Sequence, residues 1–344
     1  MRKIKRSLKI IIAIVLVIVL LLASGVIFYL SKLNLIKFSN GKFTWNGSID
    51  ASNSETINEE SRMNDAIAGL EERDTIDATG EIYRDKRFLN ILLIGTDERT
   101  IGFSENARGD SCMIMSIGKK DGSLKLASLE RGMGVPILEG KYKGQYDWLT
   151  HTFRYGGADL MMREVRECFK VDVERYIRVN FTTFKKGIDS VGGIDIALTT
   201  DEAAYVNTGT GRKTYTEGVN HLDSTAALEY ARCRKIDSDW HRIERQRNII
   251  QAVVTKTKDL SIGELDALLN NVLPLVQTNL TRLEITELLL SAPKYRGVEI
   301  KQTTIPISGS YGGMRGLGGR SLFSVDFDTN AKALRNFIYG TLVE

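Results

Sequence analysis

Three cysteines in 344 residues, none in a Cys-x-x-Cys pair, exclude a disulfide-stapled scaffold and a cysteine-rich zinc site. Histidine is equally scarce, and the spacing of His151, His221 and His241 matches no metal-ligand pattern. There is no Gly-x-x-x-x-Gly-Lys-[Ser/Thr] loop to cradle a nucleoside triphosphate. A large surplus of one charge sign is missing as well. The 47 Lys+Arg stand against 43 Asp+Glu, and the two signs are segregated along the chain, so no nucleic-acid partner is expected.

Long hydrophobic runs are absent but for one. Ile10 to Leu30 is broken only by Ser24 and Gly25, and as a helix it would measure about 31 Å, the thickness of a bilayer's hydrocarbon core. Residues 1–9 carry five basic side chains and no acid, which places them in the cytoplasm and everything after the run outside. The run continues through Val26–Leu30, longer than a usual signal core. A retained single-pass anchor is therefore favoured over a signal peptide cleaved near Ala23-Ser24-Gly25. Outside the membrane there is no ATP pool, so phosphoryl transfer would need a substrate already activated, such as a lipid-linked pyrophosphate. The same compartment is oxidising, which leaves a bridged cysteine pair open. Cys112 and Cys168 sit in apolar runs and read as buried thiols.

Four segments follow. Residues 1–9 form a cytoplasmic tail and 10–30 the anchor. Residues 31–85 read as a polar acidic stalk with a frayed helix near 57–70, since 39–85 hold four Lys/Arg against eleven Asp/Glu. Residues 86–344 form the folded extracytoplasmic domain. Strands are expected at 88–94, 112–117, 124–129, 176–180, 194–198 and 302–307. Helices are expected after Gly156-Gly157 and at 181–191, 224–230, 240–258, 262–273, 283–292 and 329–339, with a polar, Gly-rich excursion at 207–220. This alternation predicts an α/β fold, a central mixed β-sheet covered by helices on both faces.

Two constellations carry chemistry. Asp97 follows the first strand and Asp110 precedes the second, so two carboxylates share a sheet edge if those strands are neighbours. Paired carboxylates with open water positions suit Mg²⁺, although both acids also fit ordinary turn roles. The second constellation runs from Arg232-Cys-Arg234 through Asp237, Asp239, Arg242, Arg245, Gln246 and Arg247. In an extended segment Arg232 and Arg234 would share one face. Arg242 in the first turn of the next helix opposes the helix dipole and calls for an anion. The rigid guanidinium fork suits phosphate oxygens, while Asp237, Asp239 and Glu244 are the local alternative partners. Arg131, directly after the strand at 124–129, projects over the same edge.

These residues together resemble the LytR–CpsA–Psr family of cell-envelope proteins from about residue 87 onward. The match rests on Asn90–Asp97, Arg108-Gly-Asp110-Ser, Tyr155-Gly-Gly157, Tyr176–Phe181, Val191–Asp195, Leu222–Arg232 and Glu244–Arg247, in that order behind an N-terminal anchor. The resemblance implies a membrane-anchored transferase that moves a glycopolymer of teichoic-acid or capsule type, as sugar phosphate, from a polyprenyl-pyrophosphate carrier to peptidoglycan. It further implies that Asp97 and Asp110 hold Mg²⁺ and that Arg108, Arg131, Arg232, Arg234, Arg242 and Gln246 bind the pyrophosphate. Asp97, Arg131, Arg232 and Arg234 would be the catalytic set, with Asp97 the first choice for the base. The expected partners are the polyprenyl-linked glycan, peptidoglycan and membrane lipid. Two departures stand out. Leu129-Glu-Arg131-Gly-Met replaces Ile-Pro-Arg-Asp-Thr, and Thr150-His151-Thr152-Phe153 replaces Asn-His-Ala-Tyr. Hydrolysis of the lipid pyrophosphate, or a non-catalytic receptor for lipid-linked precursors, are the competing functions.

Overall fold

The computed structural model describes residues 32–38, 54–98, 103, 107–234 and 236–340. The cytoplasmic tail and the expected anchor at 10–30 lie outside the described residues, among which no helix is long and apolar enough to cross a membrane. In chain order the elements are β1 (Lys37–Phe38), α1 (Ser54–Ile67), β2 (Phe88–Thr96), β3 (Gly109–Gly118), β4 (Leu124–Leu129), β5 (Gly134–Pro136) and β6 (Tyr146–Trp148). There follow α2 (Leu149–Phe169), β7 (Arg175–Val179), α3 (Phe181–Ser190), β8 (Ile194–Leu198), α4 (Thr200–Thr210), β9 (Gly218–Leu222), α5 (Ser224–Arg232) and α6 (Asp239–Lys256). The C-terminal part holds α7 (Ile262–Val272), β10 (Gln277–Thr278), α8 (Arg282–Ser291), β11 (Ile300–Ile305), β12 (Tyr311–Arg315), β13 (Ser321–Val325) and α9 (Phe327–Tyr339).

Seven strands form one mixed sheet in the order β1-β10-β7-β2-β3-β4-β11. The central β2, β3 and β4 run antiparallel, while β7 and β11 pair parallel to β2 and β4. Helices cover both faces, which is why the central strands are apolar runs rather than alternating ones. On one face Leu92, Ile94, Ile114 and Ala127 pack with Phe153, Met161 and Val165 of α2 and Leu334 and Ile338 of α9. On the other, Met113, Leu126 and Ile300 meet Ile250 and Val254 of α6. A side lobe of α3, β8, α4, β9 and α5 has its own core around Ile194, Val206, Leu222 and Tyr230, and Ile249 of α6 ties it to the sheet. The three cysteines are buried and unbridged.

Three departures from the expected layout have physical causes. Helix α2 starts at Leu149, ahead of Gly156-Gly157, and bends across that pair, where Gly157 takes φ 66° and ψ −160°, a conformation open essentially to glycine alone. Helix α4 occupies the start of the polar excursion because Thr199 and Glu202 form a capping box and Ala203 and Val206 bury one face. Most consequentially, the described residues of 31–85 do not form a free stalk. Leu33 and Ile36 are buried against Leu280 and Ile285, and Lys32 pairs with Asp266 at 2.5 Å. Helix α1 places Met63 among Trp148, Leu322 and Phe323, and bridges join Glu72 to Gly313, Ile76 to Asp326 and Tyr83 to Val171. An acidic composition hides these few inward-facing apolar side chains.

Helix α2 also carries a buried acid. Glu164 is fully buried; its Oε1 accepts from Leu138 N at 3.3 Å, and the Thr152 hydroxyl lies beside the carboxyl. Burial pushes this carboxyl up to about 8. Between an unfolded value near 4.5 and this folded value the native state keeps a proton that the unfolded chain releases, so its contribution to stability is present below that window and lost as pH rises through it. Urea unfolding is therefore expected to give a wild type that weakens from pH 5 to pH 8, each unit of separation being worth about 1.4 kcal/mol. Glu164→Gln should flatten that slope; an unchanged slope would refute the assignment.

Candidate active site

The site forms where β2 ends, β3 begins and β4 ends, because the antiparallel order brings these three termini to one edge. The register slips between Gly95, opposite Ser111, and Thr96, opposite Gly109. Asp110 is thus the extra residue of a β-bulge, a device that re-aims a side chain. Asp97, one residue past β2, accepts from the Arg108 backbone N–H and from Arg108 Nε, both at 3.1 Å. The two acids expected at this edge are therefore neighbours.

Arg131 follows β4 by two residues and is 4% exposed. Its Nε donates to Asp239 Oδ2 at 3.0 Å, and its Nη1 reaches Glu59 Oε1 at 3.0 Å and Asp110 Oδ1 at 3.4 Å. Arg234 joins from the segment after α5, with Nη1 3.3 Å from Glu59 Oε1 and Nε 3.8 Å from Asp239. Arg242, in the first turn of α6, stands 3.4 Å from Asp239. The anion that this helix start calls for is thus supplied in part by Asp239 on the same turn. Gln246 lies one turn further on and accepts from Ser111 Oγ at 2.9 Å, beside Asp110.

Arg232 is placed elsewhere. Helix α5 runs to Arg232, so Arg232 and Arg234 do not alternate along an extended strand. The Arg232 side chain is 43% exposed, 3.7 Å from Glu229 on its own helix, and stacks over the Phe181 ring at 5.4 Å. Arg245 and Arg247 are structural. Arg245 pairs with Glu202 at 2.6 Å and with Asp237, while Arg247 bonds Gln302, Ser128 and Thr304. His151 is buried against Asp147 at 3.1 Å, and His221 and His241 are exposed.

Sequence reasoning missed three contributors. Glu59 lies in the supposed stalk and carried no local signal. Arg154, in α2, is near enough to feel the charges of Arg108, Asp97, Asp110 and Glu59. Glu130, beside Arg131 where the family has proline, is wholly buried, accepts from Gly132 N at 3.3 Å, and is pushed up to about 7 by burial and by Asp239. Its departure from the family pattern was the available signal.

The charges are mutually dependent. Burial, then the nearby Asp110, raises the Asp97 carboxyl. Burial works against the Asp110 charge, but Arg131 and Arg108 outweigh it and hold that carboxyl low. Burial, then Arg242 and Arg131, lowers Arg234 to about 10. A cluster of guanidiniums this desolvated requires anions, and carboxylates or phosphate oxygens both meet the need.

Fold and site define the class: an α/β protein with an arginine-rich anion cradle at the ends of its central strands. The chain belongs to the LytR_cpsA_psr family, whose profile matches residues 49–335. It is 34% identical over 242 residues to a polyisoprenyl-teichoic acid–peptidoglycan teichoic acid transferase TagU of Oceanobacillus iheyensis, covering 67% of this chain and 69% of that protein. A TagU of Bacillus mycoides is 32% identical over 56% of this chain, and the match spans 61% of that protein. Among solved structures, TagT bound to LIIa-WTA shares 25% identity with a TM-score of 0.58, over 77% of this chain and 96% of that one. The protein gbs0355 of Streptococcus agalactiae shares the fold, with a TM-score of 0.63 at 23% identity over 75% of this chain and 90% of that one.

Proposed function

We propose that this chain transfers a glycopolymer of teichoic-acid type, as sugar phosphate, from a polyprenyl-pyrophosphate carrier to peptidoglycan on the outer side of the membrane. The observation that carries the reading is the convergence of Arg108, Arg131, Arg234 and Arg242 on one desolvated point beside Asp97 and Asp110. Its family membership and the transferase names of its relatives support it. Phosphoryl transfer asks the protein for positioning and charge neutralisation more than for covalent chemistry, and buried guanidiniums supply both.

The acid pair fits Mg²⁺. Asp110 is close enough to raise the Asp97 carboxyl, and a pair of carboxylates is a donor set that suits this ion, which usually keeps several of its waters. When bound, Mg²⁺ would neutralise charge on the pyrophosphate oxygens. Arg131, Arg108 and Arg234 would hold the remaining oxygens, Arg242 would fix Asp239 beneath them, and Asp97 would take the proton of the attacking hydroxyl.

The test uses the full chain in detergent micelles with a synthetic polyprenyl-pyrophosphate oligosaccharide, Mg²⁺ and uncrosslinked glycan strands, read by mass spectrometry. A glycan-phosphate adduct on the strands, lost on chelation, is expected. Free sugar phosphate with polyprenyl monophosphate would mean hydrolysis, and binding without turnover would mean a receptor. In the same assay Arg234→Ala is expected to lose about 10²-fold in rate, as for loss of one charge-stabilising donor. Arg232→Ala should stay within about threefold, because its side chain is half exposed and is engaged by Glu229 and the Phe181 ring rather than by the cradle's acids. Equal losses in the two would refute the placement.

A further inference from the structure

The arginine cradle is filled by a carboxylate from the chain's own N-terminal segment. Glu59 of α1 is 6% exposed. Its Oε2 accepts from Arg108 Nη1 at 2.8 Å, and its Oε1 from Arg131 Nη1 at 3.0 Å and Arg234 Nη1 at 3.3 Å. Three guanidiniums on two oxygens is the arrangement a phosphate group would need, and these are three of the arginines assigned above to the pyrophosphate. Although burial works against the charge, Arg131 and Arg108 hold the Glu59 carboxyl below its ordinary range, so it stands there as an anion.

The surrounding contacts show how the carboxylate is delivered. One turn along, Met63 sits on the same helix face and packs among Trp148, Leu322 and Phe323. Glu60 pairs with Arg320 at 3.0 Å, and Asn64 accepts from Arg315 at 3.2 Å. Helix α1 is therefore docked on the β12–β13 hairpin, and Glu59 projects from the docked face into the cradle. Charge states the consequence. Arg108, Arg131, Arg154, Arg234 and Arg242 face Asp97, Asp110, Asp239 and Glu59. Withdrawing Glu59 removes the anion that the carrier's phosphates would have to replace, and with it their main electrostatic competitor.

We propose that Glu59 is an intramolecular competitor for the pyrophosphate: with α1 docked the cradle is occupied, and the lipid-linked carrier binds by expelling it. This rests on the reading of the cradle as the pyrophosphate site. In the sequence, α1 stands between the apolar run at 10–30 and the strands that form the catalytic edge.

Calorimetric titration of the full chain in micelles with inorganic pyrophosphate tests the proposal. Glu59→Gln keeps the side-chain shape and removes the charge, and is expected to tighten binding about tenfold, the effect of losing one close competing charge in a partly desolvated site. Met63→Ala leaves every charged group of the cradle in place but removes the side chain that packs α1 onto Trp148, Leu322 and Phe323, and is expected to tighten binding as well. In the unaltered chain, hydrogen exchange across 54–67 should quicken when pyrophosphate is added. Wild-type affinity in both variants, with unchanged exchange, would overturn the plug and leave the cradle intact. Weaker binding in Glu59→Gln would overturn it by making Glu59 part of the binding site. Absence of pyrophosphate binding in every form would overturn the plug and the cradle reading together.

Discussion

Arg131→Lys is expected to lower the rate of glycopolymer transfer by about 10²–10³-fold while leaving the fold intact, the range found when one preorganised donor to developing charge is lost. Arg131 is the geometric centre of the site: a single guanidinium spans Asp239, Glu59 and Asp110 through Nε and Nη1. Lysine retains the positive charge, so the buried carboxylates are not left uncompensated, but an ammonium cannot reproduce a fork that reaches partners on separate sides. The alanine variant is the less informative one. It would leave several buried acids without their common partner, at a cost of about 3–5 kcal/mol, and would confound chemistry with folding. The mass-spectrometric transfer assay with a parallel urea melt decides the matter. A lysine variant within threefold of wild type would show that Arg131 supplies only charge.

Asp97→Asn should separate binding from turnover. A group that takes the acceptor's proton contributes about 10²–10⁴-fold, so transfer should fall by that order. Affinity for the pyrophosphate carrier, measured without Mg²⁺, should be equal or tighter, since the change removes a negative charge from beside the site. The bonds from Arg108 to Asp97 survive in part, because the amide oxygen still accepts from the backbone N–H. Rates and affinities both at the wild-type level would remove Asp97 from the mechanism. A loss of affinity without loss of rate would make it a structural partner of Arg108. Together with the Arg131 variant, this distinguishes a transferase from a receptor, since a receptor predicts changes in binding alone.

The site was readable in proportion to how local its determinants are. Asp97 and Asp110 were legible because they flank strands whose apolar runs are unmistakable, and antiparallel pairing of β2 and β3 then makes them neighbours. Arg131 was legible for the same reason, being just past a strand that ends at that edge. Arg234 and Arg232 were not separable. Two arginines two residues apart share a face only if the segment is extended, and helix α5 continues to Arg232 because Asp223 caps it and Ala226, Ala227, Tyr230 and Ala231 bury one side. The helix end turns one guanidinium toward Phe181 and leaves the other to the cradle. Asp239 appeared in the sequence as one of several local partners; only its simultaneous approach to Arg131, Arg234 and Arg242 makes it the acid that organises them.

By itself the sequence determined the α/β class, the order of the central strands along the chain and the apolar run at 10–30. Each of these follows from periodicity or composition over about twenty residues or fewer. The tertiary structure decided what is in contact across long separations. It turned part of an acidic linker into a docked helix, because Met63 and a few neighbours find a hydrophobic hairpin more than 250 residues away. It also brought Glu59 into a ring of guanidiniums contributed by Arg108, Arg131 and Arg234. Long-range charge pairing of that kind depends on the desolvation of both partners, and burial is a property of the folded chain that no stretch of sequence carries alone.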